Sequence, residues 1–402
     1  MRGGLDRRRL LQSSASFAAL GLAGCATAPP PRTGSTIALA PIRADLNRVF
    51  DITVCLRPFR AAGPRLDSET VGHKLVVHNY GHGGSGWSLS WGSAHVAVEK
   101  AMQASPKEIA VIGCGAIGLT SAIVAQEAGA QVTIYAREML PDTRSARATG
   151  SWTPDSRIAL DTAVSPDFPA LWERMARISF HTYRRYLGLP GNPVEWTDRY
   201  FLSGGAHNAH APAQSLPFAS YRDRIADIWP AGEELPPGAT PFPATSSVRR
   251  TSLMQFNIAD YGHTLLNDFF AAGGRFMQAE FGALGEVSRL KEKVIINCPG
   301  YGARTLCKDE SVVPVRGQMG WLIPQPEVDY GVYYDGVLAL SRRDGIGIQM
   351  LEGGDMKGYN DANETVDRAE SEEAVKRIAA LYAQMKTQSI ELSSPAERCA
   401  AA

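Results

Sequence analysis

Glu108-Ile109-Ala110-Val111-Ile112-Gly113-Cys114-Gly115-Ala116-Ile117-Gly118-Leu119 is an apolar strand running into Gly-x-Gly-x-x-Gly. A helix-prone run, Thr120 to Ala128, follows. Gly129-Ala130 closes it, and Gln131-Val132-Thr133-Ile134-Tyr135-Ala136 reads as a second strand. In this context Gly113 permits the tight turn and Gly115 lets the backbone reach a pyrophosphate. Gly118 lets the helix pack close to the strand. Ala116 and Ile117 open the helix, whose N-terminus offers amides and a positive dipole end to phosphates. Strand, turn, helix and strand together point to a dinucleotide.

A second glycine string lies about 30 residues upstream, beyond the span of one Gly-x-Gly-x-x-Gly unit. It is His78-Asn79-Tyr80-Gly81-His82-Gly83-Gly84-Ser85-Gly86-Trp87, after the apolar Leu75-Val76-Val77. It reads as a strand delivering a loop whose backbone approaches a ligand closely. The strand ending at His78 is expected in one contiguous sheet with the Gly113 turn, both loops facing one elongated cleft. An acid is expected roughly 20 residues after the last glycine, to hold a ribose. Glu138 stands there, preceded by Arg137 where the acid usually falls; an arginine there favours a phosphate.

The chain has 402 residues, 44% of them hydrophobic, and zero formal net charge. That is enough for one large or two modest cores. The charge balance argues against a nucleic-acid partner. Asp6-Arg7-Arg8-Arg9-Leu10-Leu11-Gln12 fits a twin-arginine export signal, and Leu22-Ala23-Gly24-Cys25 a lipoprotein cleavage box with Cys25 lipidated. The expected location is the periplasm or cell envelope, with membrane contact only through that lipid. The other cysteines are Cys55, Cys114, Cys298, Cys307 and Cys399. None lies in a Cys-x-x-Cys pair and no histidine cluster accompanies them, so no metal site is expected. A Cys55–Cys307 or similar bridge stays open.

Further along, Asp51 to Arg57 reads as a strand and Ala94 to Ala104 as a helix. Phe168 to Leu187 is helical and Thr251 to Ile258 strand-like, and Tyr261 to Ala272 is a helix ended by Gly273-Gly274. Val294 to Cys298 returns to an apolar strand, Val313 begins another, and Glu370 to Met385 is an amphipathic helix. The expected fold class is α/β: a Rossmann-type dinucleotide-binding domain (46–155 and 285–320) with an α+β substrate domain on a larger mixed sheet (156–284 and 321–385). Residues 1–25 are read as signal, 26–45 as linker and 386–402 as tail.

These pieces resemble the D-amino-acid oxidase family of FAD-dependent oxidoreductases. The carrying strings are VVHNYGHGGSGWSLSWG, VIGCGAIGL, GSWTP from Gly150, INCPGYGA and VPVRGQ. The resemblance implies FAD as cofactor, with a D-amino acid and molecular oxygen as substrates. In the family the histidine–glycine string follows the Rossmann turn; here it precedes it. The order looks circularly permuted, with the old termini joined through 104–107 and a new break before the Arg57 strand.

By this resemblance Arg57 matches the arginine that binds the substrate carboxylate, and Gly84 a glycine whose carbonyl holds the amine. Tyr334 matches a tyrosine over the active site, with Tyr333 one slip away. Gly83, Gly86, Trp87 and Ser88 match positions at the flavin end of FAD, and Gly150, Ser151 and Trp152 a segment beside the ring. Leu338 stands where the family usually has a carboxylate-binding tyrosine, and Ile348-Gln349-Met350 replaces Leu-Gly-Gly. The implied reaction is oxidative deamination of D-amino acids to 2-oxo acids, ammonia and hydrogen peroxide. The alternatives are a flavin dehydrogenase or secondary-amine oxidase, or a flavin-binding lipoprotein without turnover.

Overall fold

Apolar runs form two sheets in the computed structural model, which describes residues 36–203, 215–242 and 247–385. In chain order come β1 (Val49–Arg60), β2 (Ser68–Val71), β3 (Lys74–His78), α1 (Gly86–Met102), β4 (Glu108–Ile112), α2 (Ala116–Glu127) and β5 (Gln131–Ala136). Next are α3 (Phe168–Tyr183), β6 (Val194–Leu202), β7 (Glu233–Leu235), β8 (Val248–Phe256), α4 (Ile258–Ala271), β9 (Arg275–Gln278) and β10 (Val294–Asn297). Last are α5 (Ala303–Leu306), β11 (Val312–Leu322), β12 (Tyr330–Tyr334), β13 (Val337–Arg342), β14 (Gly345–Met350) and α6 (Arg368–Ala383).

The smaller sheet has the order β2-β3-β10-β4-β5-β9. From β3 to β9 its pairs are parallel, which is why these strands read as unbroken apolar runs. The strand before His78 does share a sheet with the Gly113 turn; β10 lies between them. α1, α2, α3 and α4 bury one continuous core with this sheet. Gly92 lets α1 meet α3: a Cβ there would fall 2.1 Å from the Met175 carbonyl oxygen.

The larger sheet has the order β1-β11-β14-β13-β12-β6-β8-β7. Its strands divide their residues by face, as a pleat requires. Val332, Val337, Ala339, Ile348 and Met350 join the core beneath α6. Their neighbours Tyr333, Leu338 and Gln349 line a cleft on the other face.

Strand pairing places two segments of the expected domains as follows. β1, assigned to the FAD-binding part, pairs along its length with β11 in the larger sheet. α4 and β9, assigned to the substrate part, join the smaller sheet, because the turn at Gly273-Gly274 returns the chain beside β5. Cys55, Cys114, Cys298 and Cys307 are free thiols. Residues 1–25, with the export signal and Cys25, and residues 386–402, with Cys399, lie outside the described residues, as does the first half of the linker, 26–35.

Candidate active site

Between the sheets runs one cleft of about 670 Å³, lined by both glycine strings. At one end, β4 hands the chain to α2 through Gly113, whose φ is +95°. A Cβ at Gly118 would lie 2.1 Å from the Gly113 carbonyl oxygen, so this turn accepts no side chain. No side chain caps α2 at Gly115. The Ala116 amide, however, donates to Ser145 Oγ at 3.0 Å, so it is not free for a phosphate as expected. Arg137 and Glu138 stand at the end of β5 and pair with each other at 3.5 Å; Arg137 also reaches Glu280 at 3.5 Å. Arg137, Glu138 and Glu280 all line the cleft.

The histidine–glycine string forms the middle. His78 is fully buried and structural: Nε2 meets Glu69 at 2.7 Å and Nδ1 meets Asn297 at 3.1 Å. Its burial pulls the imidazole pKa down, against the pull of Glu69. His82 is fully buried with no such partner, and burial lowers its pKa to about 3. Gly83 has φ +55°, and a Cβ on it would sit 1.9 Å from the Arg157 carbonyl oxygen. The Gly84 amide donates to Ser156 O at 3.0 Å, and a Cβ there would meet Ser156 Oγ at 2.4 Å. Trp87 Nε1 donates to Ser145 O at 2.8 Å, tying α1 to the segment over α2.

The far end is the cleft-side face of the larger sheet, with Arg57 on β1 and Arg199 on β6. Arg57 makes no hydrogen bond or ion pair among the described residues, and its guanidinium lies across Gly317. Arg157 is buried nearby and donates to the carbonyls of Asp355 (2.7 Å) and Gly354 (3.1 Å). Burial first, and then the neighbouring Arg57 charge, lower its pKa to about 10 against the pull of Asp355.

Arg57, Gly83, Gly84, Gly86, Trp87, Gly113, Gly115, Ala116, Ile117, Gly118, Arg137, Glu138, Gly150 and Ser151 thus line one cleft. Three expected residues do not. Tyr334 packs toward the α6 core while Tyr333 lines the cleft, because successive strand residues point to opposite faces. Ser88 stands behind the wall: its Oγ accepts from the Thr153 amide at 2.8 Å and donates to Ser151 O at 3.3 Å. Trp152 is fully buried against Phe180 and Trp229. Sequence reasoning missed Thr143, Ser145, Arg157, Arg199 and Glu280. Arg199 carried one usable signal, a charge inside the strand Trp196-Thr197-Asp198-Arg199-Tyr200-Phe201. Its face depends on strand order, which no local pattern encodes.

A βαβ glycine turn at one end of a cleft, with a second glycine string along it, defines the class as a nucleotide-cofactor protein. The chain belongs to the family described as FAD dependent oxidoreductase, DAO, whose model matches residues 108–399. It is 30% identical over 210 residues to a D-amino-acid oxidase of Rubrobacter xylanophilus, covering 52% of this chain and 57% of that protein. To a D-amino-acid oxidase of Streptomyces coelicolor it is 30% identical over 216 residues, covering 53% and 58%. The chain therefore spans a little over half the length of the curated relatives it matches. An iminodiacetate oxidase structure from Chelativorans sp. BNC1 aligns at TM-score 0.46 and 15% identity, over 69% of this chain and 79% of that one.

FAD is the cofactor of this family, and the residues present fit it. At Gly113, Gly115 and Gly118 the turn lines the cleft with backbone alone. Six buried polar atoms on cleft-lining residues have no partner among the described residues: Asn79 Oδ1, His82 Nε2, Thr143 Oγ1, Ser151 Oγ, and Nε and Nη2 of Arg199. Buried polar atoms without partners are costly, and a polar ligand relieves them.

Proposed function

We propose that the chain deaminates a D-amino acid oxidatively: amino acid, dioxygen and water give 2-oxo acid, ammonia and hydrogen peroxide. The observation that carries this reading is Arg57, a guanidinium without a partner among the described residues, on the same cleft as both glycine strings. A planar fork of that kind suits a carboxylate held by two parallel hydrogen bonds. The chemistry FAD supplies when bound is two-electron oxidation and return of the electrons to dioxygen. In this reading the amides around Gly115, other than that of Ala116, hold the pyrophosphate, and Arg137 and Glu138 meet the adenosine end. Gly83, Gly86, Trp87, Gly150 and Ser151 flank the flavin end. Arg57 fixes the carboxylate and the Gly84 carbonyl orients the neutral amine, so no acid–base pair is needed and positioning does the work.

The test is anaerobic flavin bleaching by a panel of D- and L-amino acids, then oxygen uptake. Bleaching by D-amino acids with peroxide formation is expected. An Arg57→Lys variant should keep FAD and lose about 2 kcal/mol of substrate affinity, as the fork becomes a point charge. FAD that stays oxidised with every amino acid would overturn the reading. A second reading rests on Leu338, which lines the cleft without a hydroxyl. It gives a flavin dehydrogenase or secondary-amine oxidase, or binding without turnover. Bleaching without oxygen uptake, bleaching by secondary amines alone, or no bleaching separates these.

We further propose that the chain is a circular permutation of its family. Two observations support this. The family match begins at Glu108, yet β1 and β3, upstream of it, pair with β11 and β10. Tyr330 Oη donates to Ala40 O at 2.7 Å and bonds Tyr382 Oη at 2.8 Å, so the last helix ends beside the start of the described chain. Export by the twin-arginine route with a lipid on Cys25 is proposed from the sequence alone. A Cys25→Ala variant recovered in the soluble rather than the membrane fraction tests it.

A further inference from the structure

We infer that Arg199 binds a second anionic group of the substrate, and that the substrate is an amino acid with an acidic side chain. This rests on the amino-acid reading above.

Arg199 is only 4% exposed, and its Nε and Nη2 have no partner among the described residues. An uncompensated buried cation costs several kcal/mol, so a protein holds one only where something else pairs with it. No acid among the described residues does so. Asp198, the neighbour in sequence, turns to the opposite face, where it accepts from Ser252 Oγ and faces Arg250 at 3.7 Å. Burial lowers the Arg199 pKa, but to about 10, so the group stays charged at neutral pH.

The sheet aims this charge at the substrate end of the cleft. Arg199 pairs in register with Gly331, and a Cβ on that glycine would lie 3.4 Å from Arg199 Cγ. The arginine therefore crosses β12 where the strand has no side chain. Arg57 does the same from the other edge, crossing β11 at Gly317. The two cations reach inward from opposite sides of one face, and Leu338 and Gln349, which are cross-strand partners, lie on the strands between them. Two facing cations over an apolar and amide floor suit a short carbon chain with a carboxylate at each end. The Gly113 turn, where a nucleotide's phosphates go, belongs to the other sheet.

The test uses the FAD-loaded full chain and two non-oxidisable acids of equal length, succinate and butyrate, read by perturbation of the flavin spectrum. Succinate should bind about tenfold or more tightly than butyrate, the return on one charge-assisted pair. Arg199→Met should erase that preference and leave butyrate binding unchanged, and Arg199→Lys should keep part of it. With substrates, D-glutamate should exceed D-norvaline in kcat/KM in the native chain and not in Arg199→Met. Equal binding of the two acids by the native chain overturns the inference and leaves the amino-acid reading standing. A succinate preference that survives in Arg199→Met overturns it, and so does loss of FAD from that variant, which would make Arg199 a cofactor residue. If neither acid perturbs the flavin of the native chain, the amino-acid reading falls as well.

Discussion

The guanidinium of Arg57 lies across Gly317, so that a Cβ on Gly317 would sit 2.4 Å from Nη1 and 2.5 Å from Nη2. The atoms in the way are the mobile end of a long side chain, not backbone. Gly317→Ala should therefore leave the fold almost untouched, within ~0.5 kcal/mol, and push the guanidinium aside. Misplacing an anchoring group by about an ångström is enough to lose roughly 100-fold in rate. The expected outcome is normal FAD content and melting temperature, with kcat/KM for the best D-amino acid down at least tenfold. A variant with native kinetics would show that Arg57 does not hold the carboxylate.

Gly118→Ala meets the opposite circumstance. Its Cβ would fall 2.1 Å from the Gly113 carbonyl oxygen, which is backbone and cannot swing away. α2 has to lift off the turn, at a cost of about 1–3 kcal/mol, and the amides at its start leave their positions. Loss of both thermal stability and bound flavin is expected. Flavin content and a melt, measured on the same preparation, check it; retention of both would mean the turn is not the cofactor's seat.

The two glycine strings were legible because each places several constraints in a few consecutive residues. Positive φ at Gly113 and Gly83 and close approach at Gly118 and Gly84 leave a pattern of glycines that few other roles demand. Helix and strand positions followed from periodicity, and α6, expected from Glu370, spans Arg368–Ala383. What stayed hidden depends on contacts far apart in sequence. The choice between Tyr333 and Tyr334 needs the face of β12, and that follows only from its pairing with β6 and β13. Arg199 became significant only once β6 was known to lie on that sheet and its guanidinium to be alone. The membership of β1 in the larger sheet is a pairing with β11, more than 250 residues away, recorded in no local feature.

His82 predicts a pH dependence of stability. Buried without a partner, it stays neutral in the folded chain down to pH about 3, whereas in the unfolded chain it protonates near its ordinary 6.5. Between these values the unfolded state carries the extra proton, so stability rises with pH and is lost as pH falls below 6.5. One such group contributes up to ~1.4 kcal/mol per pH unit. His82→Gln removes the titrating group. Urea unfolding at pH 5 and pH 7 should show a larger drop for the native chain than for the variant. Equal drops would place the acid sensitivity elsewhere.

The proposed permutation makes a prediction about covalent order that leaves every contact in place. The ends to be joined are near each other, since Tyr330 touches both Ala40 and Tyr382. The break to be opened, between α1 and β4, lies in a short turn that includes Ser105 at φ +46°. A chain rearranged to begin at Pro106, run to Met385 and continue through about six Gly/Ser residues into 36–105 restores the order the family uses. It keeps β1 beside β11 and β3 beside β10 and cuts neither glycine string. Its FAD content and melting temperature should come close to those of the native order, because folded stability follows contacts and not the place of the ends. A second rearrangement, with the new ends between Gly83 and Gly84, cuts the loop whose backbone lines the cleft and should lose the flavin. If the first chain aggregates without FAD while the native order binds it, the ends are not interchangeable and the permutation reading fails.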